Sequence, residues 1–297
     1  MNTKCGYVTI AGRPNVGKST LLNALLGQKL SIINSKPQTT RKRVLGILSE
    51  ENYQIIFIDT AGIIEPKYLM QQTMMEQMTA SVDDADVLLI VFEAGKDFRV
   101  ELENDVLEKI KKSSAHKIAV INKIDGSNQK ELELQVEKIK NLEIASEIIP
   151  ISALKSFHIE PLKKRIVELL PEHPKMYPDE DVSTENVRFF VTEIIREKIL
   201  ELYEEEIPYS IEVVIEDYKE RDNGKDFISA SIITERASQK GILIGKKGVA
   251  IKKLGELSRK SIEEFTGKEV FLELRVKVEE NWRQNEKYLK RFGYTEE

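Results

Sequence analysis

The chain has few of the features that mark secreted or membrane proteins. It contains one cysteine, Cys5, in 297 residues, so an internal disulfide is excluded and a reducing cytosol is favoured. No apolar run approaches the ~20 residues that a membrane-spanning helix needs. The first strand candidate begins at Tyr7, which leaves no room for a signal peptide. These absences predict a soluble, cytoplasmic protein.

Histidine is also scarce, and the overall charge is acidic. His116, His158 and His173 are scattered, without the spacing of a metal site. The formal net charge is −5, which by itself argues against a nucleic-acid partner, although a total can hide a local basic cluster. At 297 residues the chain is long enough for two domains.

A phosphate-binding motif stands near the N-terminus. Residues 12–19 read GRPNVGKS and fill the pattern G-x-x-x-x-G-K-[ST], between a strand candidate, Tyr7–Ala11, and a helix candidate, Thr20–Leu26. Backbone N–H groups of such a loop and the helix N-terminus present partial positive charge to a triphosphate. We expect Lys18 to reach the outer phosphates and Ser19 to bind Mg²⁺. The predicted phosphate-binding residues are Gly12, Arg13, Pro14, Asn15, Val16, Gly17, Lys18, Ser19 and Thr20.

Short apolar strands alternate with amphipathic helices as far as Leu170. Helical patterns cover Leu102–Lys111 and Gln129–Leu142, and the further strand candidates are Gln54–Ile58, Asp86–Phe92, Lys117–Ile121 and Ile148–Ile151. This alternation predicts an α/β domain over residues 1–170, with a mostly parallel sheet and helices on both faces. Ligands bind at the carboxyl ends of the strands in such sheets, so motifs that follow strands are the candidates for the site.

Two motifs follow strand candidates and complete a guanine-nucleotide pattern. Asp59-Thr60-Ala61-Gly62 offers a carboxylate for Mg²⁺ and a glycine N–H for the γ-phosphate; this pattern gains its weight from standing downstream of a phosphate loop. In Asn122-Lys123-Ile124-Asp125, the aspartate can accept hydrogen bonds from N1–H and the 2-amino group of guanine, whereas adenine would leave it unpaired. Ser152-Ala153 would supply a backbone N–H to guanine O6. The predicted ligand is therefore GTP or GDP, held by Asn122, Lys123, Asp125, Ser152 and Ala153.

The set GRPNVGKS, DTAG, NKID and ISA resembles the motifs of translation-factor-class GTPases. Within it, Gln38-Thr39-Thr40-Arg41, after Ser35-Lys36-Pro37, resembles the first switch segment of the Era family. The resemblance implies that Thr40 binds Mg²⁺ beside Ser19 and Asp59, with Thr39 as the alternative. It also implies that Lys18, Thr40 and Gly62 carry hydrolysis.

Three positions in these motifs need separate comment. Ile63 follows Gly62 where Ras-type enzymes have a water-orienting glutamine, and the Era family shares this absence, which predicts slow intrinsic hydrolysis. The family usually reads D-T-P-G where this chain has Ala61, a change in loop stiffness that removes no ligand. In related GTPases an asparagine at the position of Asn15 binds K⁺, so Asn15 is either a K⁺ ligand or a brace of the loop.

The second half of the chain predicts a linker and a smaller α+β domain. Residues 171–186 are the predicted linker, because Pro171–Glu185 holds three of the nine prolines and an acidic run. The domain over residues 187–297 is predicted to contain, in order, a helix Val187–Glu205, a strand Ser210–Tyr218, a hairpin turn at 222–224, a strand Phe227–Thr234, two helices joined at 245–248, and a strand Val270–Val278.

Residues 241–248, GILIGKKG, match the G-x-x-G loop of a KH domain, and the order of elements is that of the type-2 KH fold. This loop clamps about four nucleotides of single-stranded nucleic acid by backbone contact. Between Arg236 and Lys260 eight basic residues stand against one acid, which suits phosphate binding. The predicted RNA-binding residues are Lys240, Gly241, Ile244, Gly245, Lys246, Lys247 and Gly248.

The last residues predict a basic helix opened by Asn281-Trp282-Arg283. Trp282 is expected to pack on the domain rather than stack on a base. Lys287, Lys290 and Arg291 are expected to face solvent, with contact to RNA or to a membrane surface as the alternatives.

The combination of one GTPase module, a proline-rich linker and one KH domain resembles the Era family over nearly the whole chain. The resemblance implies a monomer that binds the 3′ end of 16S ribosomal RNA and aids assembly of the 30S subunit. An RNA chaperone with a vestigial GTPase is one alternative, against which the complete motif set argues. A signalling GTPase bound peripherally at the inner face of the cell membrane is the other, ranked low because no apolar face or lipidation signal accompanies the basic helix.

Overall fold

The computed structural model describes residues 3–34, 36–96 and 105–295. The chain divides into two compact units. Unit 1 contains residues 1–66 and 71–184, and unit 2 contains residues 67–70 and 185–297. Within the described ranges no helix is long and apolar enough to cross a membrane.

Unit 1 is built on one six-stranded sheet. Its strands are β1 (Lys4–Gly12), β2 (Val44–Glu50), β3 (Tyr53–Asp59), β4 (Val87–Glu93), β5 (His116–Asn122) and β6 (Glu147–Pro150). The strand order is β2-β3-β1-β4-β5-β6, and every neighbouring pair is parallel except β2 with β3. Ile55, Ile56, Phe57 and Ile58 are all fully buried, so helices and loops cover both faces of the sheet, as its apolar runs predict.

The helices in this part of the chain are α1 (Lys18–Leu26), α2 (Leu69–Asp83), α3 (Asp105–Lys112), α4 (Gln129–Lys140) and α5 (Ile159–Leu169). Helix α1 ends at Gly27, which has the left-handed φ of 70° typical of a helix C-terminus. Its leucines Leu21, Leu22 and Leu25 pack into the core under the phosphate loop. Of the helix predicted over 102–111, positions 102–104 lie outside the described residues, as does Ser35 of the switch segment.

The structure adds helix α5 to the elements that the sequence patterns indicate, and it also adds strand β2 and helix α2, whose local signals are weak. The turn between β2 and β3, Glu51-Asn52, lacks the glycine that usually signals a hairpin. Helix α2 mixes methionine with glutamine and threonine, so its apolar stripe is weak in the sequence. Both elements are held by pairing and burial rather than by a strong local pattern.

The segment predicted as a linker belongs to unit 1 as far as Thr184, and several of its residues are hydrogen-bonded to the sheet of that unit. The Cys5 N–H donates to the Pro171 carbonyl at 3.1 Å, and the Ile47 N–H donates to the Val182 carbonyl at 2.9 Å. The Gln54 side-chain carbonyl accepts hydrogen bonds from the N–H groups of two further linker residues, Met176 and Tyr177. The segment therefore contacts the outer strand β2, whose edge would otherwise be open to pairing with another chain.

Unit 2 is a three-stranded sheet with helices, in the order that the sequence predicts. Strands β7 (Glu212–Lys219) and β8 (Asp226–Thr234) form the predicted antiparallel hairpin, and β9 (Val270–Val278) pairs parallel to β8. The helices are α6 (Val187–Leu202), α7 (Ala237–Ile244), α8 (Val249–Thr266) and α9 (Glu286–Arg291). Fully buried aliphatic residues from α6, β8 and α8, among them Ile195, Ile228 and Leu254, form the core.

The C-terminal helix begins later than predicted. Residues 282–284 form a single 3₁₀ turn, and α9 starts only after Asn285, whose side chain accepts the Lys287 N–H. Trp282 is fully buried, and its indole N–H donates to the Ser210 carbonyl at 3.2 Å, so it packs on the domain as expected. Burial of this ring anchors the turn between β9 and α9, and the helix begins after Asn285, the next residue whose side chain caps a helix.

Candidate functional site

An open cavity of about 1000 Å³ lies at the carboxyl end of the parallel strands of unit 1. Of the predicted nucleotide-site residues, those that line it are Pro14, Asn15, Gly17, Lys18, Ser19, Thr20, Thr39, Thr40, Gly62, Asn122, Lys123 and Asp125. The others do not line it: Arg13 is exposed, and those buried are Gly12, Val16, Asp59, Thr60, Ala61, Ser152 and Ala153. The fold thus gathers motifs that are far apart in the sequence.

Three oxygen-bearing side chains converge at one end of the cavity. The Ser19 hydroxyl donates to Asp59 Oδ2 at 2.8 Å and lies 2.9 Å from the Thr40 hydroxyl, which donates to the same carboxylate oxygen at 3.1 Å. Burial raises the pKa of Asp59, and the Lys18 charge and these hydroxyls oppose the shift. Hydroxyl and carboxylate oxygens are the ligands that Mg²⁺ prefers, so the set fits that ion.

The geometry separates the two candidate threonines. The Thr39 hydroxyl donates to the Lys36 carbonyl at 2.8 Å, within its own loop. Thr40, in contrast, is buried and shares the Asp59 carboxylate with Ser19. Of the two, Thr40 is therefore the residue that the fold brings to the predicted metal ligands.

Lys18 is a buried ammonium at the first position of helix α1. Its Nζ donates to the Arg13 carbonyl at 2.8 Å, and burial lowers the pKa of Lys18 to about 8, an effect that Asp59 opposes. A buried cation at a helix N-terminus gains from a nearby anion, because the anion replaces the hydration that burial removes. The environment of Lys18 therefore suits a phosphate ligand.

Gly62 allows the DTAG segment to approach the phosphate loop. A Cβ at this position would lie 2.6 Å from the Pro14 nitrogen, closer than any side chain permits. The next residue, Ile63, is buried, and its N–H donates to the Gly12 carbonyl at 3.0 Å. The Ile63 side chain thus packs in the protein and has no polar atom with which to orient a water.

Asn122 links three of the motifs. Its amide nitrogen donates to the Val16 carbonyl at 2.8 Å, and its amide oxygen accepts the Ala153 N–H at 2.9 Å. The Ser152 hydroxyl donates to Asp125 Oδ1 at 2.5 Å and so orients the carboxylate at the cavity wall. Since Asn122 already engages the Ala153 N–H, that N–H would have to be shared to reach guanine O6, and this contact stays a prediction.

Part of the cavity is lined by residues that lie outside the sequence motifs. The residues that complete it include Glu93, Ala94, Gly95, Glu131 and Leu154. Glu93 is the last residue of β4 and accepts a hydrogen bond from Lys123 Nζ at 2.9 Å. The sequence feature that indicates Glu93 as a site residue is its position at the end of a buried strand, at the same edge of the sheet as the motifs.

In unit 2, residues 245–248 form a tight turn between α7 and α8. Gly245 has a φ of 71°, and a Cβ there would lie 2.7 Å from the Ala250 Cβ. Lys246 and Lys247 are exposed, and Lys247 has a left-handed backbone with a φ of 54°. The turn therefore exposes two lysines, and its glycines leave room for a phosphate group or a nucleic-acid base to approach the backbone closely.

The surface around this turn combines cations with apolar groups. Ile242 and Val249 are 51% and 67% exposed on either side of the turn. Of the other predicted residues, Gly241 is exposed, Gly248 is partly exposed, and Lys240 and Ile244 are half-buried. The exposed basic residues at the start of α7 and along α8 are Arg236, Lys252, Lys253, Arg259 and Lys260. Lysines for phosphates beside apolar surface for bases are the elements of a single-strand binding site.

The cavity and the turn define a class of protein, a phosphate-loop GTPase joined to a KH domain. Residues 7–123 match the family described as "50S ribosome-binding GTPase", and residues 206–283 match the KH domain family.

The chain belongs to the Era GTPase family. It is 42% identical over 295 residues to the GTPase Era of Clostridium kluyveri, and the alignment covers 98% of this chain and 99% of that protein. It is 44% identical over 297 residues to the chloroplastic GTPase ERA1 of Zea mays, covering 99% of this chain and 71% of that one. The predicted family and the fold class, an α/β GTPase domain followed by an α+β KH domain, are confirmed.

Two solved Era structures share this fold over their whole length. Era in complex with MgGDPNP and nucleotides 1506–1542 of 16S ribosomal RNA has a TM-score of 0.94 and 42% identity, covering 99% of this chain and 100% of that one. A variant of Aquifex aeolicus Era bound to GDP and AlF₄⁻ has a TM-score of 0.92 and 40% identity, with the same coverage.

Proposed function

We propose that this protein is a GTP-gated RNA-binding factor of small-subunit ribosome assembly. In this proposal unit 1 binds and hydrolyses GTP, and unit 2 binds single-stranded RNA near the 3′ end of 16S ribosomal RNA. The observation that carries it is that Ser19, Thr40 and Asp125 line one cavity, with the buried Asp59 carboxylate hydrogen-bonded behind Ser19 and Thr40, in a chain that also presents the GKKG turn. The relative crystallised with MgGDPNP and a 16S fragment supports the pairing of these ligands.

Each side chain of the cavity has a role in this proposal. Ser19, Thr40 and Asp59 would hold Mg²⁺, which when bound neutralises charge on the transferring phosphate. Lys18 binds the outer phosphates, and the Gly62 N–H contacts the γ-phosphate. Asp125 accepts hydrogen bonds from guanine, with Ser152 orienting the carboxylate.

Hydrolysis in this site is expected to be slow without help. The residue after Gly62 is the buried Ile63, so no side chain at this position can align the attacking water. We propose that backbone groups or groups supplied by a partner position the water instead.

The nucleotide acts in this proposal as a two-state ligand. The γ-phosphate and its metal order the segments that carry Thr40 and Gly62. Nucleotide alters RNA affinity only through its differential binding to the two states, and the coupling is reciprocal. RNA should therefore either stabilise the GTP form or speed hydrolysis.

A short single strand from the 3′ end of 16S ribosomal RNA is expected to bind more tightly in the presence of a non-hydrolysable GTP analogue than with GDP. Titration at fixed salt, with a scrambled strand as control, measures the difference, since affinities for nucleic acid depend on salt. Equal affinity in both nucleotide states would refute the gating. Equal affinity for both strands would show that unit 2 binds single-stranded nucleic acid without regard to sequence.

Replacing K⁺ by Na⁺ is expected to slow GTP hydrolysis at least about tenfold if Asn15 binds a K⁺ that stabilises charge in the transition state. Asn15 lines the nucleotide cavity and has a left-handed φ of 66°, a conformation that asparagine tolerates better than most residues. Single-turnover rates in the two salts, at equal ionic strength, measure the effect. Equal rates would leave Asn15 as a brace of the loop.

Membrane association is the weaker alternative for the basic C-terminal helix. Lys287, Lys290 and Arg291 are exposed as predicted, but the apolar residues next to them, Leu289 and Phe292, are buried in unit 2. Charge alone gives only weak, salt-sensitive attachment to an anionic surface. We therefore propose a cytoplasmic monomer in which RNA binding, and not contact with a membrane, is the main role of unit 2.

A further inference from the structure

Lys123, which lines the nucleotide cavity, is hydrogen-bonded to the phosphate loop. Its Nζ donates to the Asn15 carbonyl at 2.5 Å and to Glu93 Oε2 at 2.9 Å. A Cβ placed on Gly17 would lie 4.0 Å from Lys123 Cε, so the lysine stem passes close to the loop. Asn15 has a left-handed φ of 66°, and the bond from Lys123 helps to hold its peptide group in that conformation.

Hydrogen bonds hold the backbone of Glu93 and of the two residues that follow it. The Gln135 amide nitrogen donates to the Glu93 carbonyl at 2.9 Å, and the same amide accepts the Gly95 N–H at 3.0 Å. The Ala94 N–H donates to the Asn122 carbonyl at 2.8 Å. Gln135 is buried in helix α4, so the Glu93 carboxylate stands on a rigid base at the cavity edge.

We propose that Glu93 is a positioning residue that controls how long a guanine nucleotide stays bound. This inference rests on the proposed function of the cavity. Glu93 holds the Lys123 ammonium on the Asn15 carbonyl, and through that bond it restrains the phosphate loop. Without the carboxylate, the ammonium on its flexible four-carbon stem can leave the carbonyl, and the loop then opens more often. Glu93 belongs to none of the nucleotide-binding motifs.

The test compares GDP release from the full chain and its variants. Glu93→Ala is expected to release fluorescent GDP roughly tenfold faster, a modest factor because the Lys123 and Glu93 side chains are 42% and 24% exposed and solvent screens the pair. Glu93→Gln should release it at an intermediate rate, since its amide oxygen still accepts from the ammonium without a charge. Glu160→Gln, which removes an exposed carboxylate paired with Lys163 on α5, is the control and should match the wild type.

A double variant separates positioning from general stability. If Glu93 acts through Lys123, then Glu93→Ala has no further effect on GDP release when Lys123 is already alanine. Additive effects, or a Glu93→Ala variant that unfolds at a lower temperature without nucleotide and releases GDP at the wild-type rate, would overturn the inference. A wild-type protein that fails to retain GDP would instead refute the proposed function, so the two failures are distinguishable.

Discussion

Asp125→Asn is expected to lower GTP affinity roughly 1000-fold and to give the cavity a preference for xanthine nucleotides. The carboxylate can accept hydrogen bonds from both N1–H and the 2-amino group of guanine, and charge-assisted bonds of this kind contribute about 1.5–3 kcal/mol each. An asparagine amide offers one acceptor, and its NH₂ group faces the guanine 2-amino group, donor against donor. Xanthine has a carbonyl at that carbon, which accepts from the amide.

Titration with GDP, GTP and xanthosine diphosphate measures this change in specificity. The substitution keeps the size of the side chain, and the Ser152 hydroxyl, which donates to Asp125 Oδ1, can donate equally to the amide oxygen. Asp84→Asn removes an exposed carboxylate paired with Arg43 in the same unit and serves as the control. Guanine-nucleotide affinity within tenfold of the wild type would show that Asp125 does not read the base.

Lys246→Asp combined with Lys247→Asp is expected to weaken RNA binding about 100-fold while leaving GTP hydrolysis without RNA unchanged. The double substitution replaces two cations by two anions on an exposed turn, so phosphate contacts are lost and repulsion is added. Aspartate tolerates the left-handed backbone of position 247, where φ is 54°, so the turn should keep its shape. The slope of log affinity against log salt should also fall by about 2.

Filter binding or fluorescence anisotropy over a range of salt concentrations gives both quantities. Lys138→Asp with Lys140→Asp makes the same change in net charge on exposed positions of helix α4 in unit 1. If this control weakens binding as much as the turn variant does, total charge rather than the turn governs affinity. RNA binding at wild-type strength in the turn variant would remove the KH loop from the interface.

The parts of this protein that short-range patterns encode were predictable in detail. Strand β9 occupies the predicted residues 270–278, because alternating apolar and charged residues have the period of a half-buried strand. The phosphate loop was recognisable because its backbone must approach phosphate closely, which demands glycines at set spacing. Strand β2 and helix α2 were missed, since neither has a strong local signal and both depend on their neighbours for burial.

The contacts between side chains in the cavity could not be predicted from local sequence patterns. Sequence left Thr39 and Thr40 as alternatives, and only the folded loop places Thr40 on Asp59 and Thr39 on a carbonyl of its own loop. The contact between Lys123 and Glu93 has no motif, because Glu93 ends β4 and Lys123 directly follows β5, and these two strand ends meet only in the sheet.

The amino-acid order alone thus established the nucleotide class, the two-part organisation and the KH turn, because each depends on residue types at fixed spacing along one stretch of backbone. The choice between neighbouring threonines, the packing of residues 171–184 on the edge of the sheet, and the support of Lys123 by Glu93 came only with the fold. These features depend on distances between segments far apart in the chain, and parallel strand pairing sets those distances through hydrogen bonds that no local pattern records.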